Sequence, residues 1–183
     1  QPRELVPAER GLLVHRRVRV DRQRAGAHGP GHPQRASGRL RAVITGRCLC
    51  GGVCFEIAGA LGPALYCHCS QCRRASGSAF AANASARSSE FQIRSGAELI
   101  REFESSPGQQ RAFCTRCGSP IYSRIDAWPQ LRRVRLGTLD GDPSTRAIAH
   151  VWTGSKSPWF TISDELENFA DAPPNQYAAP SKR

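Results

Sequence analysis

Seven of the eight cysteines in this chain fall in three tight clusters, Cys48-Leu-Cys50, Cys67-His-Cys69-Ser-Gln-Cys72 and Cys114-Thr-Arg-Cys117. Thiols so close in sequence converge on one centre with little further loss of chain entropy. Disulfides would suit an exported chain with scattered cysteines; C-x-x-C spacing without a secretory signal favours metal, and all-sulfur ligands favour zinc over copper or iron. Cys114 and Cys117, followed by Gly118, read as a knuckle, because glycine takes the positive φ that turns backbone N–H groups toward the sulfurs. A structural zinc needs four ligands. Cys48 and Cys50, expected on one side of an extended segment, supply the second pair. The remaining three, Cys67, Cys69 and Cys72, match the ligand count of a catalytic zinc with one open position. His68 completes that shell or, leaving the opposite side of the C-x-C segment, sits outside it or in solvent. Cys54 shares a strand face with Glu56 and reads as an ordinary half-buried thiol.

Around these clusters the residues alternate with a period of two. Val53, Phe55 and Ile57 face away from Cys54 and Glu56. Residues 80–84, 91–93, 99–103, 111–113, 121–123, 134–136 and 148–152 form similar strand-length runs, separated by turn chemistry such as Ser106-Pro107-Gly108 and Asp140-Gly141-Asp142-Pro143. Only residues 70–76 predict a helical turn or two, with Ser70 as cap. The expected fold is mostly β, with one short helical segment near the second cysteine cluster. No apolar run approaches the ~18 residues of a membrane span, which predicts a soluble, cytoplasmic protein. Methionine is absent even at position 1, so the chain reads as one that lost its start or was cut from something longer.

The net charge of +11 resembles a nucleic-acid signature until it is divided along the chain. Residues 1–47 carry eleven arginines against Glu4, Glu9 and Asp21, whereas the rest is nearly balanced, with fifteen basic and twelve acidic side chains. Residues 1–42 lack a sustained apolar period and read as a disordered basic extension. A short amphipathic helix over 12–22 that touches anionic surfaces is the rival reading. Residues 43–172 form the folded zinc-binding domain, and 173–183 a disordered tail. Nucleic-acid binding is expected only as non-specific contact by the extension. Arginine outnumbers lysine 24 to 2, a bias of GC-rich genomes that suggests a bacterial source.

The motifs Gly46-Arg-Cys-Leu-Cys-Gly-Gly-Val53, Cys67-His-Cys-Ser-Gln-Cys-Arg-Arg-Ala-Ser-Gly-Ser78 and Arg111-Ala-Phe-Cys-Thr-Arg-Cys-Gly-Ser-Pro120 resemble those of the glutathione-dependent formaldehyde-activating enzyme family, also called the centromere-protein-V-like domain. Gly137-Thr-Leu-Asp140, His150-Val-Trp152 and Ser155-Lys-Ser-Pro-Trp159 follow in the family's order. The resemblance implies a tent of small antiparallel sheets pinned by two zinc ions per chain. Cys48, Cys50, Cys114 and Cys117 would be the structural ligands, and Cys67, Cys69 and Cys72 would hold the catalytic ion. It further implies a carbon–sulfur lyase-type enzyme like S-(hydroxymethyl)glutathione synthase, in which a zinc-bound thiol such as glutathione adds to a small aldehyde.

Arg73 and Arg74 are the residues expected to face the anionic cluster or bind glutathione carboxylates, unless they are merely solvated helix charges. His150 and Asp140 are of types that handle a proton, but a satisfied half-buried histidine and a turn former are the simpler readings. Trp152 and Trp159 line a pocket or, at strand spacing, make core. The competing class is a non-catalytic zinc-stabilised binding module for protein or nucleic acid, in which the three-cysteine site would be closed by a fourth ligand.

Overall fold

The computed structural model describes residues 43–174. The expected extension over 1–42, and the expected tail apart from Pro173 and Pro174, lie outside the described residues. A small sheet contains β1 (Ile44–Arg47), β2 (Cys54–Ile57) and β5 (Phe91–Ser95) in the order β1-β2-β5. The larger sheet is built from β3 (Ala64–Cys67), β4 (Ala81–Arg87), β6 (Ile100–Ser106), β7 (Gln109–Cys114), β8 (Pro120–Ile125), β9 (Leu131–Arg135), β10 (Ala147–Val151) and β11 (Glu167–Phe169). Its strand order is β11-β10-β3-β4-β9-β8-β7-β6. One α-helix, α1 (Ser70–Ser76), follows β3 directly.

The mostly-β expectation and the single helix both hold, and the two sheets share one apolar core. Val53, Phe55 and Ile57 meet Ala86, Ile121 and Val134, with Cys48 and Cys114 in the same cluster. Burial of a Phe, Ile or Val side chain contributes about 1.5–3 kcal/mol, so this contact is what keeps the small sheet on the large one. The alternation foreseen for β2 is present: Phe55 and Ile57 are buried while Cys54 and Glu56 are half-buried. Most pairings are antiparallel, but β10 runs parallel to both β3 and β11. A period of two defines a strand and its faces, not its direction; the long stretch between β9 and β10 gives the chain room to return in the parallel sense. Strands β1, β3 and β11 lie outside the expected runs, since their three or four residues carry no apolar–polar alternation.

Two local expectations are corrected. The segment carrying Cys48 and Cys50 is a turn, not an extended stretch, with Gly51 at φ 70° and its N–H donating to the Cys48 carbonyl at 3.0 Å. The cap of α1 is Cys69, not Ser70: its sulfur accepts from the Cys72 backbone N–H at 3.3 Å. A sulfur there does the work of a serine oxygen, taking up one of the orphan donors of the first turn. Gly77, at φ 64°, ends the helix.

Candidate metal centres and the cavity beside them

Cys48, Cys50, Cys114 and Cys117 converge, with all their sulfurs within 4.8 Å of one another. Two turns bring them together, one after β1 in the small sheet and one between β7 and β8 in the large sheet. Gly118 has the positive φ expected of the knuckle, 73°, and its N–H donates to the Cys114 carbonyl at 2.8 Å. The Val53 N–H donates to the Cys48 sulfur at 3.2 Å, and the Leu49 N–H to the Ser119 hydroxyl at 2.9 Å, which ties the two turns directly. Bonds from the Ser119 hydroxyl and backbone push Cys117 down to about 5. Cys50 goes the other way: the Gly52 amide pulls it down, but Cys48, desolvation, Cys117 and Cys114 together outweigh this and it rises to about 11.

Cys67, Cys69 and Cys72 form the second group, again within 4.8 Å. Cys67 ends β3, Cys69 caps α1, and Cys72 lies in the helix's first turn. Hydrogen bonds from Cys67 and Cys69, aided by the Arg111 and Arg135 charges, push Cys72 down to about 2. Donating to Cys69 and Cys72 pushes Cys67 up. Both groups could hold a metal ion; in the four-cysteine group the fit is tetrahedral, since four sulfurs about 2.3 Å from a zinc ion stand about 3.8 Å apart and the Cys48–Cys50 and Cys50–Cys114 separations are 3.4 and 3.9 Å. All the described cysteines are free of disulfides. Cys54 joins neither group and donates to the Gly51 carbonyl at 3.4 Å.

His68 points away from the sulfurs, as the C-x-C spacing predicts, but it is wholly buried rather than exposed. Its ring packs on Phe80 and Phe160, and its Nε2 lies 2.7 Å from His150 Nδ1. His150 Nε2 in turn lies 3.1 Å from both Asp164 oxygens. Burial first, then the charges of His150 and Lys156, lower the His68 pKa. His150 is therefore a satisfied buried histidine, and Asp164, which no motif marked, is its partner. Asp140 is a turn residue: it accepts from Thr45 Oγ1 and pairs with Arg47, each at 3.1 Å.

A cavity of about 850 Å³ opens beside the three-cysteine group. Its wall includes Cys67, Cys69, Cys72, Arg111, Arg133 and Trp152, and a smaller pocket shares Cys67, Cys72, Arg111 and Arg133 and reaches Arg135. Trp152 is thus a cavity residue, not core; it leaves β10 at φ 58° and stays 40% exposed. Trp159 is also outside the core, at 70% exposed. The structure places Arg73 and Arg74 off these walls. Arg73 donates to the carbonyls of His68 and Ser155, at 3.1 and 3.2 Å, and so braces the C-x-C segment. Arg74 is exposed on α1.

With this geometry in place, a model of the glutathione-dependent formaldehyde-activating enzyme family matches residues 43–155. The chain belongs to that family. Its match spans most of the described residues and includes all seven clustered cysteines. A Halomonas elongata protein described as a "putative glutathione-dependent formaldehyde-activating enzyme" is 29% identical over 150 residues, 74% of this chain and 92% of that protein. A crystal structure of a Rhodobacter sphaeroides protein aligns with 30% identity over 54% of this chain and 89% of its own, with a TM-score of 0.47. As in the sequence reading, no helix among the described residues is long and apolar enough to cross a membrane.

Proposed function

We propose that this family member is a carbon–sulfur lyase-type enzyme that joins a low-molecular-weight thiol of the glutathione kind to formaldehyde, giving an S-hydroxymethyl thiol. The observation that carries the reading is the three-cysteine group on the wall of a large cavity, one ligand short of a closed tetrahedron. Cys48, Cys50, Cys114 and Cys117 would hold a structural zinc, and Cys67, Cys69 and Cys72 a second ion. That ion, when bound, lowers the pKa of a thiol that ligates it.

The chain's own residues supply the rest. The cavity volume lies within the range of small-molecule sites and is large enough for a tripeptide. Trp128 and Trp152 give it apolar wall. Arg111, whose guanidinium nitrogen is 3.9 Å from the Cys72 sulfur, favours negative charge on sulfur at that end. In the addition, a sulfur lone pair forms the carbon–sulfur bond while the carbonyl π pair moves onto oxygen. That oxygen gains a proton and the thiol loses one, so the reaction is balanced in protons and electrons. His150 and Asp140, which line neither of these two cavities, take no part.

The test is exchange spectroscopy by ¹³C NMR on zinc-replete full chain with glutathione and ¹³C-formaldehyde. Interconversion of free aldehyde and S-hydroxymethylglutathione should run faster than in buffer, and the gain should vanish with Cys69→Ser. No acceleration by a protein holding two zinc ions would overturn the enzyme reading and favour the zinc-stabilised binding module.

A further inference from the structure

We infer that Arg111, Arg133 and Arg135 form a carboxylate-binding subsite beside the three-cysteine group, selecting thiols that carry a carboxylate over neutral ones. The selection among thiols rests on the function proposed above; the carboxylate subsite itself does not.

The inference starts from strand register. Ser85 of β4 pairs with Arg133 of β9, Arg133 with Ser123 of β8, and Ser123 with Arg111 of β7. Two residues along, Asn83 pairs with Arg135. Paired residues point to the same face, so four neighbouring strands present one polar face. Their other face carries Ala86, Val134 and Cys114 into the core. A polar sheet face is ordinary when water covers it, but much of this one is buried, with Arg111 and Arg133 half-buried. Arg135 is 6% exposed, and Asn83, Ser85 and Ser123 are all buried.

What the enclosed face lacks is negative charge. Arg135 donates to the Asn83 side-chain oxygen. Arg111 donates to Ser105 Oγ at 2.8 Å and Gln71 Oε1 at 3.1 Å, and Arg133 lies over the Trp128 ring at 5.5 Å. These partners are neutral, and the one sulfur in reach is Cys72, 3.9 Å from Arg111 Nη1. Elsewhere among the described residues, acids do pair with arginines: Arg47 with Asp140, Arg94 with Glu56, Arg124 with Glu102 and Arg146 with Asp142. Those four arginines are between 31% and 72% exposed. Half-buried Arg111 and Arg133 and buried Arg135 have no such carboxylate among the described residues. For Arg135 that is the reverse of what stability alone favours, since a buried charge without a counter-charge is costly.

The thiols do not remove this imbalance. Three thiolates on one zinc ion leave a single negative charge, which the guanidinium trio outnumbers. Burial lowers the pKa of Arg133 and of Arg135, with the nearby thiols pulling back only in part. Asp171 is the one acid lining either cavity; it is exposed and forms no ion pair among the described residues. An incoming carboxylate would therefore find charged, preorganised donors, with Arg135 already buried and Arg111 and Arg133 half-buried. Arg111 and Arg133 line the same cavity as Cys67 and Cys72, so one ligand can reach both ends.

The experiment is calorimetric titration of zinc-replete full chain with 3-mercaptopropionate, 2-mercaptoethanol and glutarate, which carry respectively both groups, the thiol alone and carboxylates alone. The subsite predicts that 3-mercaptopropionate binds about 10- to 100-fold more tightly than 2-mercaptoethanol, the scale of hydrogen bonds to a charged group. Glutarate should compete with it. Arg133→Gln should erase most of the difference, leaving 2-mercaptoethanol affinity and zinc content unchanged; Arg111→Gln, which also removes the contact with the Cys72 sulfur, should weaken 3-mercaptopropionate more than 2-mercaptoethanol. Equal affinity of the two thiols in the wild type overturns the inference. So does a variant that loses zinc without changing selectivity, because the arginines would then serve only to balance the thiolates. If glutarate binds in an arginine-dependent way and neither thiol does, the subsite stands and the thiol reading falls. If nothing binds, both fall.

Discussion

The two cysteine groups use one kind of side chain for opposite structural ends. The four-cysteine group sits where the small and large sheets meet; Cys48 and Cys114 are buried with Phe55, Ile121 and Val134, and the turns that present the sulfurs bond to each other. The three-cysteine group sits at the end of one strand and the start of one helix, within a single stretch of six residues. One group joins parts of the fold distant in sequence, and the other decorates a local turn. Loss of the first should therefore be felt by the whole domain, and loss of the second by the cavity. Their electrostatic settings differ in the same sense. Arg111 and Arg135 act on Cys72, whereas Ser119 and backbone amides act on Cys117.

The strongest attempt to break this contrast is a pair of substitutions. Cys114→Ser should unfold the domain or leave it insoluble, because a structural zinc contributes on the order of 10 kcal/mol, comparable with the entire margin of a typical domain. Cys69→Ser should retain a near-wild-type circular dichroism spectrum while zinc, measured by elemental analysis, falls from about two ions per chain to about one. If Cys69→Ser collapses the fold as fully as Cys114→Ser, the three-cysteine group is structural too.

Much of this contrast was legible in the sequence because cysteine spacing is a local property. C-x-x-C, C-x-C and a following glycine bring sulfurs together within each cluster, and the ligand count of a closed zinc site then suggests the grouping of seven into four and three, although the joining of the first and third clusters is made by the fold. The strand runs around Phe55 and Ile121 were legible for the same reason. The arginine trio was not. In Leu131-Arg-Arg-Val-Arg135, Arg133 and Arg135 share a face with Leu131, so the segment offers no clean alternation. Their convergence with Arg111 depends on the register of four strands drawn from residues 81–135. That they lack carboxylates is a property of the whole fold. Arg73 and Arg74 attracted the expectation because they follow Cys72 directly, but helix geometry turns the first toward backbone carbonyls and the second toward solvent. Parallel pairing by β10 was equally out of reach, since local alternation carries no strand direction.

A smaller effect should sharpen the comparison from behind the three-cysteine group. His150→Ala leaves His68 Nε2 without its 2.7 Å partner in a site closed to water. It also opens a void beside Tyr66 and Phe80. The combined cost should be about 2–4 kcal/mol, seen as a lowered urea midpoint. His68 lies between Cys67 and Cys69, so metal at that group should also be lost to a chelator faster than in the wild type. Metal at the four-cysteine group should leave only as the domain unfolds. Equal acceleration at both groups would show that the histidine pair supports the core as a whole and not the C-x-C segment.

The smallest effect is expected where the two regions depend on the same strand. β7 carries Arg111 at the cavity and Cys114 at the sheet junction, and its neighbours β6 and β8 are clamped across it by Glu102 and Arg124. Glu102 accepts from Arg124 Nη2 at 2.7 Å, from Nε at 3.1 Å, and from Tyr122 Oη at 3.1 Å. Arg124, then Tyr122, hold the Glu102 carboxyl below its ordinary value of about 4.5. A carboxyl whose folded pKa is depressed contributes stability that is complete above the unfolded value and is lost as pH falls through the folded one. Glu102→Gln should therefore cost about 1 kcal/mol at neutral pH, the upper end for a partly exposed pair. The gap between wild type and variant should close only below the ordinary carboxylate range. Denaturant titrations at pH 7 and at a series of acidic values measure this directly. Because the clamp acts on β7 and not on either set of sulfurs, it should leave the relative chelator sensitivity of the two groups unchanged. A gap that stays constant into acid would mean the variant acts through lost packing, and that the two regions are joined by apolar contact rather than by this ion pair.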